Sequence, residues 1–414
     1  MDKVDIVAVE LWQSAEVAAA RKEMEALYAA DPNAASPEAK ARIPTAVAEY
    51  AFAASLAAAD DPWRPQFIWY NAWQRSCGAL KVPAGRFGTD NPDNAYRWLN
   101  IAPGLSYRIE GKLAAHPPVA YTFSLISGNF VETAQIKTVG ILTNRDLLVD
   151  DEGCFTITIG PEPAAGRTNH IQGTDEARML AVRETMGDWG RELPATLTIT
   201  RTDSLPTPPP ESRRTLAERA AAILRKGAPN WALKFQHDSY EKLPYNQPQP
   251  IISSAKRLGG LVTQSSSHGR FKLAEDEALV IRVDPFDADY LGFQLADVWM
   301  VSQEYVDKLG CLNNFQAKRD ADGRYTYVIA RIDPGVYNWL DAAGLDTGGT
   351  TIRYQGLKNP DLDHSGAFET QLVKIADLRS VLSAETVWVN AAQRAEQIAR
   401  RVADYQRREG ALNR

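Results

Sequence analysis

Apolar residues between Val7 and Ala59 fall at three- and four-residue spacing, the period of one helix face, first in VELWQSAEVAAARKEMEALYAA and then in SPEAKARIPTAVAEYAFAASLAAA. Two helices are predicted there, the second opened by Ser36 as N-cap with Pro37 in its first turn. After Asp60 the period drops to two. LSYRIEGKL, VAYTFSLIS, CFTITIG, MLAVRETM and ATLTITR alternate apolar with polar residues between turn signals, which predicts antiparallel strands with one face toward a core. TDSLPTPPPES, Thr202 to Ser212, cannot continue a central strand and predicts a surface connector. Helical spacing returns in SRRTLAERAAAILRKGAPNWALKFQHDSYEKL, and strands resume with EALVIRV, DYLGFQLA, YTYVIARI and TTIRYQG. SSSHGR, Ser265 to Arg270, reads as a loop by composition, and Ile375 to Glu409 as a helix broken near Ser383.

The two strand blocks echo one another. Phe123 and Phe293, Gly153 and Gly323, and Arg183 and Arg353 each lie 170 residues apart, and Asn169 and Asn338 lie 169 apart. A near-constant offset predicts an internal duplication: two copies of one antiparallel β-sandwich related by a pseudo-two-fold axis, in a mainly β, α+β chain. The expected division is a helical segment over 1–60, a first sandwich over 61–201, a linker with helices over 202–250, a second sandwich over 251–372 and a terminal helix over 373–414. The phrases GPEPAAGRTNHIQG and DPGVYNWLDAAG repeat with the sandwiches. Either they are turns in which asparagine tolerates a left-handed backbone, or they present Asn169-His170 and Asn338-Trp339 to a cleft shared by the halves.

Composition narrows the function classes. With 414 residues, 44% hydrophobic and 24% charged, the chain can bury one or two cores, and a net charge of −6 offers no field for a phosphate backbone, so nucleic acid is not an expected partner. No run reaches the length of a membrane span and the start is not that of a signal segment, so a cytoplasmic protein is expected. Cys77, Cys154 and Cys311 are too widely spaced for a zinc motif and read as free thiols. His116, His170, His237, His268 and His364 show neither HxH nor HExxH spacing, so no metal is expected. There is no P-loop, and RLGGL lacks the strand-to-helix setting of a dinucleotide fingerprint, so no cofactor is expected either.

The densest polar cluster is FGTDNPDNAYRW. It is an Asx-rich turn before a strand, or a site in which Asp90 is a general base while Asn94, Tyr96 and Arg97 orient a phenol, ketone or hydroxyl. Tyr70 and Trp73, with Trp69 and Arg75, could line an aromatic wall. Arg183 and Arg353, at equivalent strand positions, either form salt bridges, to Asp188 or Glu184 or to a carboxylate across the interface, or clamp a substrate carboxylate. Ser267-His268 is a weak nucleophile signal without a GxSxG elbow.

DNPDNAYRWLNI, AVRETMGDWGRELPATLTITR, LAEDEALVIRV, LGFQLADVWM and LNNFQAKRDADGRYTYVIARIDPGVYNWLDAAG together resemble domain-of-unknown-function family 1214, whose relatives pair that domain with family 1254. The resemblance spans most of Asp90 to Leu357, with DPGVYNWLD its most specific phrase. It implies jelly-roll-like sandwiches with helical additions, no agreed reaction, and a setting in the catabolism of hydrophobic compounds such as steroids or aromatics. The expectation is a cofactor-independent lyase, isomerase or hydrolase acting on an aromatic or steroid-like molecule, with Asp90, Tyr96 and His170 as catalytic candidates. The alternative is a non-catalytic sandwich that binds a carbohydrate or other small molecule. Sandwich edges and the terminal helix are surfaces through which two copies could pair.

Overall fold

The computed structural model describes residues 3–254, 261, 263–359 and 364–412. The N-terminal pattern yields three helices where two were expected: α1 (Lys3–Trp12), α2 (Ala15–Ala29) and α3 (Pro37–Ala59). The extra break falls at Ser14, whose hydroxyl accepts the Val17 N–H and caps α2. Ser36 caps α3 in the same way through the Ala39 N–H, at 3.1 Å. The alanine face of α3 is buried with Ile126, Met179 and Ala181 in one core, because small side chains let a helix lie close to a sheet.

The strands that follow are β1 (Ile68–Tyr70), β2 (Arg75–Cys77), β3 (Leu80–Val82), β4 (Asn94–Asn100), β5 (Tyr107–Lys112), β6 (Ala120–Ile126), β7 (Thr138–Thr143), β8 (Cys154–Gly160), β9 (His170–Gln172), β10 (Met179–Thr185) and β11 (Thr196–Arg201). Nine of them form a five-stranded sheet in the order β1-β4-β10-β6-β7 over a four-stranded sheet in the order β11-β5-β8-β9, and β2 and β3 pair with each other. Leu99, Phe123, Leu125, Leu180 and Val182 from the first meet Ile109, Phe155 and Ile157 from the second in the sandwich core.

After the connector come α4 (Arg213–Ala228), a π-helical segment (Pro229–Phe235) and α5 (Gln236–Ser239). The second set of strands is β12 (Ile252–Ser253), β13 (Gln264–Lys272), β14 (Glu277–Val283), β15 (Tyr290–Ala296), β16 (Cys311–Asn313), β17 (Tyr325–Ala330), β18 (Trp339–Asp341), β19 (Thr347–Gln355) and β20 (Phe368–Lys374). Their sheets run β12-β13-β19-β15-β16 and β18-β17-β14-β20. Each strand from β4 to β11 thus has its counterpart, in the same sheet position, from β13 to β20. Even the parallel pairs that break the antiparallel pattern, β8 with β9 and β17 with β18, are duplicated. SSSHGR is therefore strand, not loop: its serines form the start of β13, zipped along β19. Most of RLGGL lies outside the described residues.

Several contacts join the halves, among them a buried knot and the terminal helix. Asp93 is buried and accepts hydrogen bonds from Tyr290 Oη (2.6 Å), Asn313 Nδ2 (3.0 Å) and Trp189 Nε1 (2.7 Å). Behind this knot, α6 (Leu378–Val381) leads toward α7 (Ala391–Leu412), which crosses both halves. Arg408 of α7 donates to the Pro92 carbonyl at 2.9 Å, and Arg401 donates to Cys311 Sγ at 2.8 Å. Cys311 is a buried thiol pushed up to about 12 by burial, and Cys154 is half-buried, while the side chain of Cys77 lies outside those described. No helix among the described residues is long and apolar enough to cross a membrane.

Candidate functional site

A cavity of about 560 Å³ lies between the outer faces of the two five-stranded sheets, with the π-helical segment and α5 along one wall. Strand alternation decides who faces it. Asn94, Tyr96 and Trp98 of β4 point into the cavity, while Leu99 faces the sandwich core. Phe87, Trp98, Phe130, Trp231 and Phe235 give it aromatic walls, as a site for an apolar ligand requires. Trp231 is fixed by its Nε1–H bond to the Phe130 carbonyl (2.7 Å), and Gly88, at φ +66°, lets the chain pass so close that a Cβ there would stand 3.1 Å from the Trp231 ring. Short π-helical turns inside helices often sit at functional sites, and this one supplies Trp231, Lys234 and Phe235 to the cavity.

Asp90 lies in the cavity wall, 3% exposed. One carboxyl oxygen accepts the Ser302 hydroxyl at 2.9 Å, and the other has no hydrogen-bond partner among the described residues. Burial pushes the carboxyl up to about 7, against the opposing pull of Arg86 and Ser302. Arg86 does not rescue the anion because it is held by both oxygens of Glu49, at 2.8 and 2.5 Å. The Tyr96 hydroxyl accepts the Asn91 N–H at 2.8 Å. Burial raises its pKa, Arg353 and Arg183 oppose that, and the phenol stays protonated and able to donate.

Arg183 reaches the cavity from β10 and Arg353 from β19. The Arg183 guanidinium lies over the Phe130 ring, 4.9 Å from its centre, and makes no hydrogen bond or ion pair to any described residue. The expected salt bridge is absent for a topological reason: Glu184 is the next residue on the strand, so it faces the opposite side, where it pairs with Arg97 and accepts the Ala195 N–H. Asp188 is engaged instead with the Gly190 N–H. Arg353 differs: it donates to Gln294 Oε1 and, at 2.5 Å, to the Thr89 carbonyl.

The second half contributes a histidine that sequence reasoning undervalued. His268 Nδ1 lies 2.7 Å from the Tyr240 hydroxyl and 3.3 Å from Thr351 Oγ1, while Nε2 lies 3.4 Å from Ser266 Oγ. Its neighbour Ser267 points the other way, into the Gln249 carbonyl. The duplication held the missing signal. Tyr96 opposes Arg183 and Trp98 opposes Ala181, just as Ser266 opposes Arg353 and His268 opposes Thr351, all at the offset of 170. Carrying the offset from Tyr96 and Trp98 lands on Ser266 and His268.

Of the residues singled out from the sequence, Asp90, Asn94, Tyr96, Arg183, Arg353 and His268 meet in this cavity, and the others do not. Asn338 and Asn169 perform one structural task twice: each brackets the residue 20 or 21 positions upstream, Lys318 or Leu148, through its backbone N–H and carbonyl. His170 is half-exposed, bonded to Thr158 Oγ1 and the Glu162 carbonyl, and Trp339 donates to the Ala330 carbonyl inside the second core. The repeated phrases therefore close the four-stranded sheets, away from the cavity, which corrects the shared-cleft reading of them. Arg97 faces away with Glu184, and Tyr70 stacks on Trp98 at 5.1 Å without lining the cavity. Trp73 lies under Arg86, 4.4 Å from its ring centre.

Asp31, His237 and Glu241 offer three potential metal-ligand atoms within 4.8 Å of one another. Each ring nitrogen of His237 already faces one carboxylate, Asp31 at 2.8 Å and Glu241 at 2.7 Å, the arrangement of a doubly bonded imidazolium. Its pKa is raised because the two carboxylates together outweigh burial, and the triad fastens α5 to the helical layer.

No family model matches the chain, and neither does any curated protein. It is similar to the crystal structure of an uncharacterized protein from Burkholderia cenocepacia, with 26% sequence identity and a TM-score of 0.73, over 90% of this chain and 100% of that one. A protein from Vibrio parahaemolyticus is matched at 10% identity and a TM-score of 0.42, over 70% of this chain and 91% of that one.

Proposed function

We propose that the chain is a cofactor-independent enzyme of the lyase, isomerase or hydrolase type, acting in the cytoplasm on a hydrophobic aromatic or steroid-like molecule during catabolism. Membership of family 1214 is part of the same proposal. One observation carries it: Asp90, a buried carboxyl in an aromatic-walled cavity, has an unpartnered oxygen and a pKa near 7. A base of that pKa is half ionised at neutral pH and so can both take and return a proton. In the proposed chemistry the Asp90 carboxylate removes a proton from the substrate, and the Tyr96 hydroxyl donates a hydrogen bond to the oxygen on which charge collects. Asn94 and His268 orient polar groups of the substrate.

A carbohydrate-binding sandwich would offer exposed, coplanar rings. Here Trp98 and Trp231 are buried, which favours an enclosed apolar ligand. The test is a thermal-shift screen against steroids, lignin-type aromatics and simple sugars, followed by turnover assays on whatever stabilises the protein. Stabilisation by steroids or aromatics, with turnover lost in Asp90→Asn and reduced in Tyr96→Phe, supports the proposal. Stabilisation by sugars alone, or binding with no turnover by the unmodified protein, overturns it in favour of a binding module.

A further inference from the structure

We infer that the ligand of this cavity carries a carboxylate and that Arg183 receives it. The inference deepens the reading of the cavity as a ligand site and rests on it. A guanidinium carries five N–H donors, and one taken out of water is ordinarily paired. Arg183, half-buried in the cavity wall, has no such partner: its guanidinium carbon lies 4.9 Å from the centre of the Phe130 ring, and none of its donors meets an acceptor among the described residues. Its duplicate Arg353 shows the satisfied alternative, with Gln294 and the Thr89 carbonyl as partners. No carboxylate pairs with Arg183 among the described residues: Glu184 is committed to Arg97 on the far side of the sheet, Asp93 to the knot between the halves and Asp238 to Lys234, while Asp90, in the same cavity, accepts from Ser302.

Two arginines in one cavity also repel each other, and burial together with the charge of Arg353 disfavours the Arg183 cation. An arriving anion relieves both penalties. A planar carboxylate matches the planar guanidinium fork with two parallel hydrogen bonds. The aromatic walls take the rest of the molecule, and about 560 Å³ is the size of a site for a drug-sized ligand.

The experiment uses the full chain and a panel of aromatic carboxylates of one to three rings, among them 2-naphthoate and biphenyl-4-carboxylate, each paired with its primary amide. Affinities are measured by calorimetry and melting shift for the unmodified protein, Arg183→Met and Arg183→Lys. The expected result is a preference for carboxylate over amide of roughly 10- to 100-fold, the span of a charge-assisted hydrogen-bond pair. It should vanish in R183M and be partly kept in R183K, with melting temperatures of the free proteins little changed because the side chain makes no hydrogen bond or ion pair among the described residues. Amides that bind as well as carboxylates would overturn the anion subsite and leave the cavity as an uncharged-ligand site. Failure of both series to bind the unmodified protein would overturn the subsite and the cavity reading together.

Discussion

Arg183 and Arg353 occupy the same register in the two central strands, opposite Tyr96 and Ser266 respectively, yet among the described residues Arg353 has hydrogen-bond partners and Arg183 has none. The two sandwiches are copies in topology and differ in what their outer faces present to the cavity between them. One half brings an acidic and phenolic wall, the other a histidine, and the unequal arginines mark where the copies have parted.

The buried Asp90 makes stability fall as pH rises. Its folded pKa, near 7, lies above the ordinary value of about 4, so the folded state holds the proton more tightly. The contribution is fully present below about pH 4 and lost progressively as pH climbs through the folded value. Asp90→Asn removes this penalty. Its stability relative to the unmodified protein, from denaturant unfolding, should improve by about 2–3 kcal/mol between pH 5 and pH 8. A difference that does not change with pH would contradict the burial of an ionisable carboxyl there.

Arg97 and Glu184 form a buried ion pair on the side of the sheet away from the cavity. Arg97→Met leaves the Glu184 carboxylate without its charge partner and should destabilise the fold by about 3–5 kcal/mol, most of which Arg97→Met with Glu184→Gln should restore. Chemical denaturation of the single and double variants reads this directly. Ligand affinity of the folded double variant should match that of the unmodified protein.

Asn338 donates to the Lys318 and Thr326 carbonyls and accepts the Lys318 N–H. Asn338→Ala should weaken the second sandwich by about 1–3 kcal/mol, since buried backbone groups lose their partner. His170→Ala, by contrast, should leave ligand binding and turnover unchanged, because His170 lies outside the cavity. Loss of activity in H170A would restore it as a catalytic candidate.

Much of the architecture was legible in the sequence because a duplicated period-two pattern carries the same information twice. The offset between Gly153 and Gly323 survives as the turns that lead into β8 and β17, and that between Arg183 and Arg353 as one register position in the two central strands. The site was legible only where polarity was concentrated, as in the segment from Asp90 to Tyr96. The serines of β13 hid His268, because serine-rich composition reads as a loop while the ladder to β19 is formed by backbone groups that composition does not reveal. The Asn-His and Asn-Trp phrases misled for the opposite reason. Repetition marks a shared structural duty, whereas a site specialised on one side shows itself where the copies differ, at Tyr96 against Ser266 and Trp98 against His268.

The most direct test of the central claim is the pKa of the Asp90 carboxyl. It can be read from the infrared band of the protonated acid in difference spectra between the unmodified protein and D90N, titrated from pH 4 to pH 9. A midpoint near 7 is the predicted result. A midpoint near the ordinary value of about 4 would mean that Asp90 is a plain carboxylate at neutral pH, and the proposed proton carrier would be gone.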